Sequence, residues 1–430
     1  QLNITLPVSS IFETPTIAEL SKHLEHKTNL NSDSSQQIIS ISRNEPLPLS
    51  FAQQRILFLQ ELEGPSSTFN VPFSLRLDGQ LDTALFEKSI NTIISRHEIF
   101  RSRFESKDGE SNVVIEDQHH LALNVVDIST QDDAIQKIQV LFEKDAIAPF
   151  DLNVAPLFRI KLYKLATNTY ILTTNTHHLI SDGWSVGVFM KELVATYGAY
   201  LSGTQPLLQE LPTQYVDFAH WQKQWLETDS VKQHVNYWKN KLADLPPLLE
   251  LNTDKPRPAI LRYQGSEEHF IIPSDVLEKL EGVARQEDVT LYMLLLAALN
   301  VILNRYSRQE DIAVGSPIAN RTHHQTEPLI GLFVNTLVMR NNVDLQQPFS
   351  KFLAQVKTTA LDAYAHQDAP FDQVVDAVQP QRSLSHSPLF QVMFILQNAP
   401  MGDLDLMGLK LSPLERKSSI AKYDLTLQFM

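Results

Sequence analysis

Two adjacent histidines, His177 and His178, are followed shortly by Asp182 and Gly183. A neutral imidazole can accept a proton from, or hydrogen-bond to, an attacking amine or hydroxyl group. Because successive side chains of a strand point to opposite faces, we expect one histidine to enter a pocket and the other to support the turn. We also expect Gly183 to allow a tight backbone that a bulkier residue would resist. The segment therefore predicts an acid–base site built on one histidine.

Hydrophobic periodicity predicts the elements that position these residues. Residues 158–163 alternate apolar and polar side chains, and residues 169–177 form a second such segment after a turn signal, so the two predict a hairpin. Apolar residues at helical spacing from Val186 to Tyr197 predict a helix. The histidines thus lie where a strand ends and a helix is about to begin, which is a usual place for functional residues on an open sheet.

Other interpretations of the same segment stay open at this point. Residues 183–187 match the G-x-S-x-G pattern of a hydrolase elbow, with Ser185 as the nucleophile, although an elbow serine directly follows its strand. A metal site of His178 and Asp182 lacks a third ligand at a recognisable spacing. A purely structural histidine pair is the third possibility.

Composition limits the class of protein. The chain has 430 residues, 43% of them apolar, which suffices for a large core and favours two or three folded units. The formal net charge of −14 argues against a nucleic-acid-binding surface. With no cysteine, thiol nucleophiles, disulfides and cysteine metal sites are excluded, and no apolar segment is long enough to span a membrane. A cytoplasmic protein without a bound metal or cofactor is expected.

Composition also changes along the chain. Residues 1–27 predict a helical tail and the polar residues 28–37 a linker. From residue 38 onward the pattern is that of packed helices and strands, with a proline-bearing crossing that begins near Gly203. We predict one lobe over residues 38–210 and another over 211–430, the latter with helices at 276–286 and 291–305 and strands at 311–314 and 332–339.

Seven motifs narrow the function, because together and in this order they resemble the condensation domains of nonribosomal peptide synthetases. The histidine segment resembles the HHxxxDG signature, which is shared with acyltransferases of the chloramphenicol acetyltransferase type. The motifs are SxAQxR at 49–55, RHExLRTxF at 96–104, HHxxxDG at 177–183, YxDYAxW at 215–221, IGxFVNT at 330–336, HQDxPF at 366–371 and SPLFQVMF at 387–394.

The resemblance implies an α+β fold of two chloramphenicol-acetyltransferase-like lobes, a V-shaped pseudo-dimer of mixed sheets with helices packed on them. It implies a tunnel at which upstream donor and downstream acceptor peptidyl carrier domains deliver thioesters on phosphopantetheine arms, next to an adenylation domain. The amine of the acceptor attacks the donor thioester, and a peptide bond forms in the biosynthesis of a secondary metabolite such as an antibiotic. Residues 1–27 resemble the end of a carrier domain, and the family pattern continues beyond Met430.

By match to the motif, the resemblance assigns the chemistry to His178, as general base or as the group that positions the amine. His177 and Asp182 then support the site, and Gly183 shapes the loop and presents a backbone N–H to the oxyanion. Arg321 is the expected partner of Asp182.

Ser185 and Trp184 complete the expected structural support of the site, and no bound cofactor is implied. The order of Trp184 and Ser185 and the retention of both histidines are most similar to members that take an L-configured donor residue (the LCL subtype). A non-catalytic recruiting module of the same fold is the alternative, although such modules normally lose the histidines.

Overall fold

A computed structural model describes residues 10, 14, 16–28, 37–107, 110–381, 383–397, 405–406, 408–414 and 420–430. The predicted linker therefore lies almost wholly outside the described residues. The helical tail is α1 (Ile17–Thr28).

Two mixed sheets organise the chain, and a short hairpin accompanies them. The strands are β1 (Asn70–Asp78), β2 (Ser102–Lys107), β3 (Glu110–Ile115), β4 (Asn124–Asp127), β5 (Phe158–Ala166), β6 (Thr169–His177), β7 (Asp311–Ile318), β8 (Asn335–Asn342), β9 (Val392–Leu396), β10 (Asp405–Leu406), β11 (Leu409–Pro413) and β12 (Leu425–Phe429). The first sheet has the order β10-β11-β1-β6-β5-β4, the second β12-β9-β7-β8, and β2 pairs with β3.

Helices pack on these sheets, which confirms the predicted α+β class. They are α2 (Phe51–Glu63), α3 (Thr83–Arg96), α4 (Ala134–Ala146), α5 (Gly183–Leu201), α6 (Tyr215–Trp225), α7 (Asp229–Lys241), α8 (Ser274–Gln286), α9 (Leu291–Ser307), α10 (Phe349–Ala365) and α11 (Phe371–Val378). Short 3-10 turns cover Glu98–Arg101, His178–Ile180 and His324–Thr326.

Local sequence accounts for the strand that ends at His177, directly before the 3-10 turn that begins at His178. β6 is rich in threonine and β-branched residues, is buried along almost its whole length, and pairs antiparallel with β5 and with β1. Asn70 pairs with His177, so the histidine stands at the last rung of the ladder. The predicted hairpin of β5 and β6 is confirmed.

The apolar segment at 291–305 forms the buried helix α9, which begins at an N-cap, Thr290, whose side chain accepts the N–H of Met293. No single helix in the described ranges is long and apolar enough to cross a membrane; α8 and α9 reach the required length only together and meet at 103°.

The strand predicted over 332–339 was wrong at both ends, since β8 begins at Asn335 and ends at Asn342. Leu332 and Phe333 instead pack into the core of the first sheet.

The two lobes share elements. Tyr215 and residues 329, 330, 332 and 333 pack in the first large core, although they follow residue 210 in sequence. β11 pairs antiparallel with β1, so a strand near the end of the chain completes the first sheet. The second core lies around α9, α10 and the four-stranded sheet. The division at residues 210 and 211 stays a prediction, and segments from beyond it close the first lobe.

Candidate active site

His177 is the supporting histidine of the pair. Its ring is fully buried, and its Nε2–H donates to Oε1 of Gln60 in α2 at 2.9 Å. Nδ1 accepts the N–H of Leu179 at 3.2 Å. Burial, together with the charges of His178 and Lys422, lowers the pKa of His177 to about 3. With both nitrogens occupied and the ring neutral, His177 holds the turn and takes no proton near neutral pH.

His178, unlike His177, keeps one ring nitrogen without a hydrogen-bond partner among the described residues. Its ring is half-buried, and its Nδ1 lies 2.7 Å from the carbonyl oxygen of Ser181. A carbonyl can only accept, so Nδ1 carries the hydrogen and Nε2 of the neutral ring keeps its lone pair. No described residue hydrogen-bonds to Nε2. Burial, and next the charge of Lys422, lower the pKa of His178, while Asp182 opposes the shift. The ring is therefore available as a proton acceptor.

Asp182 fixes the chain just after the histidines. It is the N-cap of α5, and its Oδ1 accepts the N–H of Ser185 at 2.9 Å. Oδ2 accepts the N–H of Phe333 at 2.9 Å, and Nη2 of Arg321 lies 3.3 Å from Oδ1. Phe333 and Arg321 both follow residue 210 in sequence, so Asp182 forms a junction between the start of α5 and distant segments of the chain, beside the histidines.

Ser185 occupies the interior of this junction. Its Oγ is fully buried, lies 2.7 Å from Oδ1 of Asp182 and 2.9 Å from the carbonyl of Gly331, and accepts the N–H of Gly331 at 3.0 Å. Nη2 of Arg321 also donates to it, at 3.0 Å. An elbow nucleophile must be exposed beside a histidine base, so this position does not support a hydrolase serine. Trp184 is half-exposed, and its Nε1–H donates to the carbonyl of Glu327 at 3.0 Å.

Gly183 is the first residue of α5 and is exposed. The expectation that Gly183 allows a tight backbone that a bulkier residue would resist was wrong, because its φ is not positive and an added Cβ would make only an ordinary contact, 3.4 Å from Nε2 of Gln397. Its N–H and that of Trp184 meet no acceptor in the described part of the chain. Such unpaired N–H groups at a helix start attract negative charge.

Three contributors were not predicted. Gln60 fixes the tautomer of His177, and its only sequence signal is a polar residue at helical spacing from the apolar Ile56 and Leu57. Gly331 lets Tyr215 pack closely, since an added Cβ would lie 1.9 Å from Cδ2 of that ring. The third is Lys422, whose charge helps to lower the pKa of both histidines and which no sequence pattern indicated.

Tyr215 supports the same junction through hydrogen bonds of its hydroxyl group. Its hydroxyl donates to the carbonyl of Leu332 at 2.6 Å and lies 2.7 Å from Oγ of Ser50, the N-cap of α2. Burial raises the pKa of this phenol, so the hydroxyl keeps its hydrogen at all working pH values. Among the described residues, no group of three or more His, Asp or Glu side chains could hold a metal ion.

Comparisons with known proteins show the family of this chain. The sequence model of the family described as "Condensation domain" matches residues 43–430. A linear gramicidin synthase protein of Brevibacillus parabrevis is 45% identical over 427 residues, which cover 98% of this chain and 6% of that protein. Bacitracin synthase 3 of Bacillus licheniformis is 38% identical, over 99% of this chain and 6% of that protein. The chain thus spans a small part of the curated relatives it matches.

Solved structures share the fold. The X-domain from teicoplanin biosynthesis superposes with a TM-score of 0.79 at 25% identity, covering 91% of this chain and 86% of that one. The first condensation domain of the calcium-dependent antibiotic synthetase, solved with a substrate analogue, gives a TM-score of 0.76 at 18% identity, over 90% and 88% of the two chains. The chain belongs to the condensation domain family of nonribosomal peptide synthetases.

Proposed function

We propose that this chain forms a peptide bond between two aminoacyl or peptidyl groups, each held as a phosphopantetheine thioester on a carrier domain. The observation that carries the proposal is the neutral, half-buried ring of His178, whose Nε2 has no partner among the described residues while Nδ1–H is fixed on the Ser181 carbonyl. An imidazole held in this tautomer can accept a proton from the attacking amine.

Peptide-bond formation from a thioester depends only in part on base catalysis. A free α-amine has a pKa of about 8, so a fraction is already neutral near pH 7. The thioester is an activated acyl donor, and positioning of amine and carbonyl can supply up to about 7–11 kcal/mol. Base catalysis typically contributes about 10²–10⁴-fold. His178 thus orients the amine and receives its proton as the tetrahedral adduct forms.

The start of α5 is suited to the developing oxyanion. The N–H groups of Gly183 and Trp184 are unpaired among described residues, and the helix directs its positive end toward the same loop. Asp182 and Arg321 hold this helix start against the second lobe and act as supports. His177 keeps the loop in register from the last rung of β6.

The partners follow from the same proposal. Donor and acceptor carrier domains deliver the two thioesters, and an adenylation domain of the same synthetase loads the carrier. Residues 1–27 would then be the end of the preceding carrier domain, and residues 38–210 and 211–430 the two lobes. The donor residue is proposed to be L-configured, on the motif resemblance alone, and the cytoplasmic location stays a prediction.

A non-catalytic recruiting role is the alternative with an observation in its favour. An X-domain is among the structural neighbours, and one solved complex joins such a domain to OxyB from teicoplanin biosynthesis. The retained histidine pair with its ordered tautomers favours catalysis here.

A product assay distinguishes these functions. Donor carriers loaded with L-alanine, L-valine, L-leucine or L-phenylalanine are mixed with acceptor carriers loaded with glycine or L-valine, and acceptor-bound dipeptide is resolved from free donor acid by intact mass. The proposal expects dipeptide that depends on the chain. Folded protein that yields no dipeptide across the panel would overturn it, and donor acid lost on Ser185→Ala would indicate a hydrolase.

A further inference from the structure

Lys422 lies in a short segment that the second lobe holds on both sides. The N–H of Ala421 donates to the carbonyl of Tyr263 at 2.9 Å, and the N–H of Asp424 donates to the carbonyl of Gln391 at 3.0 Å. The backbone position of Lys422 is therefore fixed just before β12.

Close packing and an ion pair reinforce this placement. A Cβ added to Gly265 would lie 2.4 Å from Cβ of Ala421, so only a glycine allows the two chain segments to approach this closely. Arg257 forms an ion pair with Asp424, with Nη1 and Oδ1 3.0 Å apart. The segment is thus built to hold its side chains in one place.

From there, Lys422 reaches the ring of Phe69, a residue that contacts both histidines of the first lobe. Its Nζ lies 5.5 Å from the centroid of the Phe69 ring. The carbonyl of Phe69 accepts the N–H of His178 at 2.8 Å, and its ring centroid is 6.3 Å from that of His177. The ammonium group of Lys422, held by the second lobe, therefore lies close to the His177–His178 segment of the first lobe.

The charged groups around this ammonium leave it without a counter-ion. In the ranges that the structure describes, no carboxylate forms an ion pair with Lys422, and Asp182 is already held by Arg321. The charges of Lys422, Arg55 of α2 and the two histidines act on one another, and Arg55 is itself paired with Asp372 of α11, whose Oδ1 lies 3.0 Å from its Nε.

These neighbours act on one another electrostatically. Burial, and next the charge of Arg55, lower the pKa of Lys422 to about 8, so its ammonium form predominates at neutral pH. Its charge in turn adds to the effect of burial in lowering the pKa of His178. A like charge nearby disfavours protonation of any basic group in the same space, including a bound amine.

We propose that Lys422 is a positioning residue of condensation, whose ammonium charge acts across the lobes on His178 and on the bound acceptor amine to keep both in the neutral form. The inference rests on the proposed function. The amine nitrogen bonds to the thioester carbon, its proton passes to Nε2 of His178, the carbon–sulfur bond breaks, and the thiolate takes that proton. Lys422 keeps its own proton throughout.

The test is a pH profile of single-turnover dipeptide formation between pH 5.5 and 8.5, with the carrier panel described above. Lys422→Met removes the charge at similar length, Lys422→Arg keeps it, and Lys351→Met is the control, an exposed lysine of α10. We expect the acid limb of Lys422→Met to move to higher pH, so that the ratio of the rates at pH 6 and pH 8 falls about threefold or more relative to wild type. Lys422→Arg and Lys351→Met are expected to keep the wild-type profile.

A folded Lys422→Met with the wild-type profile would overturn the inference while leaving the proposed function standing. Wild-type protein that forms no dipeptide would instead contradict the proposed function itself. Circular dichroism checks the fold of each variant. Lys422→Gln gives a second measurement of the same shift should the methionine variant not fold, and an unmoved profile there overturns the inference equally.

Discussion

Nη2 of Arg321 lies 3.3 Å from Oδ1 of Asp182, and the two side chains are only 2% and 3% exposed. Asp182 begins α5 in the first lobe, whereas Arg321 follows β7 of the second sheet. A buried charge that loses its partner is strongly destabilising, so this contact links the stability of the chain to the geometry of the histidine loop.

Each partner of this pair should therefore be costly to remove alone. We expect Asp182→Asn and Arg321→Met each to lower the free energy of unfolding by about 3–5 kcal/mol, because each leaves one buried charge unpaired. The double variant should lose less than the sum of the two, by about 0.5–3 kcal/mol. Urea unfolding measures all four proteins. Two single variants within about 1 kcal/mol of wild type would contradict this account.

Stability should depend on pH through His177. Its folded pKa of about 3 lies below the ordinary value of 6.5, so the unfolded chain binds more protons between these values. The stabilisation is present above about pH 6.5 and is lost as pH falls toward 3, at up to about 1.4 kcal/mol per pH unit.

The comparison that isolates this effect is His177→Gln. The difference in unfolding free energy between wild type and this variant, measured in urea at pH 7.5, 6 and 5, should shrink as pH falls, since the other groups cancel. A difference that stays constant over this range would mean that His177 is protonated in the folded protein or is not buried.

Ser185→Ala should weaken the junction without changing the reaction type. Its Oγ is buried and bonded to Asp182, Gly331 and Arg321, so we expect a loss of about 1–3 kcal/mol in unfolding free energy. The folded fraction should still give dipeptide as its product by intact mass. Ser185→Ala that is as stable as wild type would show that this hydrogen-bond network contributes nothing.

Glycine is needed at 331 but not at 282. An added Cβ at Gly331 would overlap Cδ2 of Tyr215 at 1.9 Å, so Gly331→Ala should cost about 1–3 kcal/mol or more and disturb the Asp182 junction. A Cβ added to Gly282, within α8, would meet no atom within 4 Å. As the matched control, Gly282→Ala should stabilise by about 0.5–1 kcal/mol in thermal or urea unfolding. Equal effects of the two changes would contradict the packing at Tyr215.

Local patterns were sufficient for several elements. The hairpin of β5 and β6, the helix after the histidines and the buried helix α9 each follow from period and caps within a few residues. The motif order also identified the family, which the family model and the relatives confirm.

The pairing of strands that are distant in sequence could not be predicted from local patterns. β11 pairs with β1 across most of the chain, and such a contact leaves no local signal in either strand. The predicted start of β8 at residue 332 was wrong for a related reason. Leu332 and Phe333 continue the apolar pattern of the strand, but they pack in the first core. Gln60 of α2 contacts His177, and Lys422, just before β12, lies over Phe69, only because the fold brings these distant segments together.

The most direct measurement is the single-turnover rate of dipeptide formation for wild type, His178→Gln and His120→Gln, with the loaded carriers described above. His120 is exposed and serves as the control histidine. The account predicts that His178→Gln lowers the rate by about 10²–10⁴-fold while His120→Gln leaves it unchanged. A folded His178→Gln that forms dipeptide at the wild-type rate would contradict the central role given to His178.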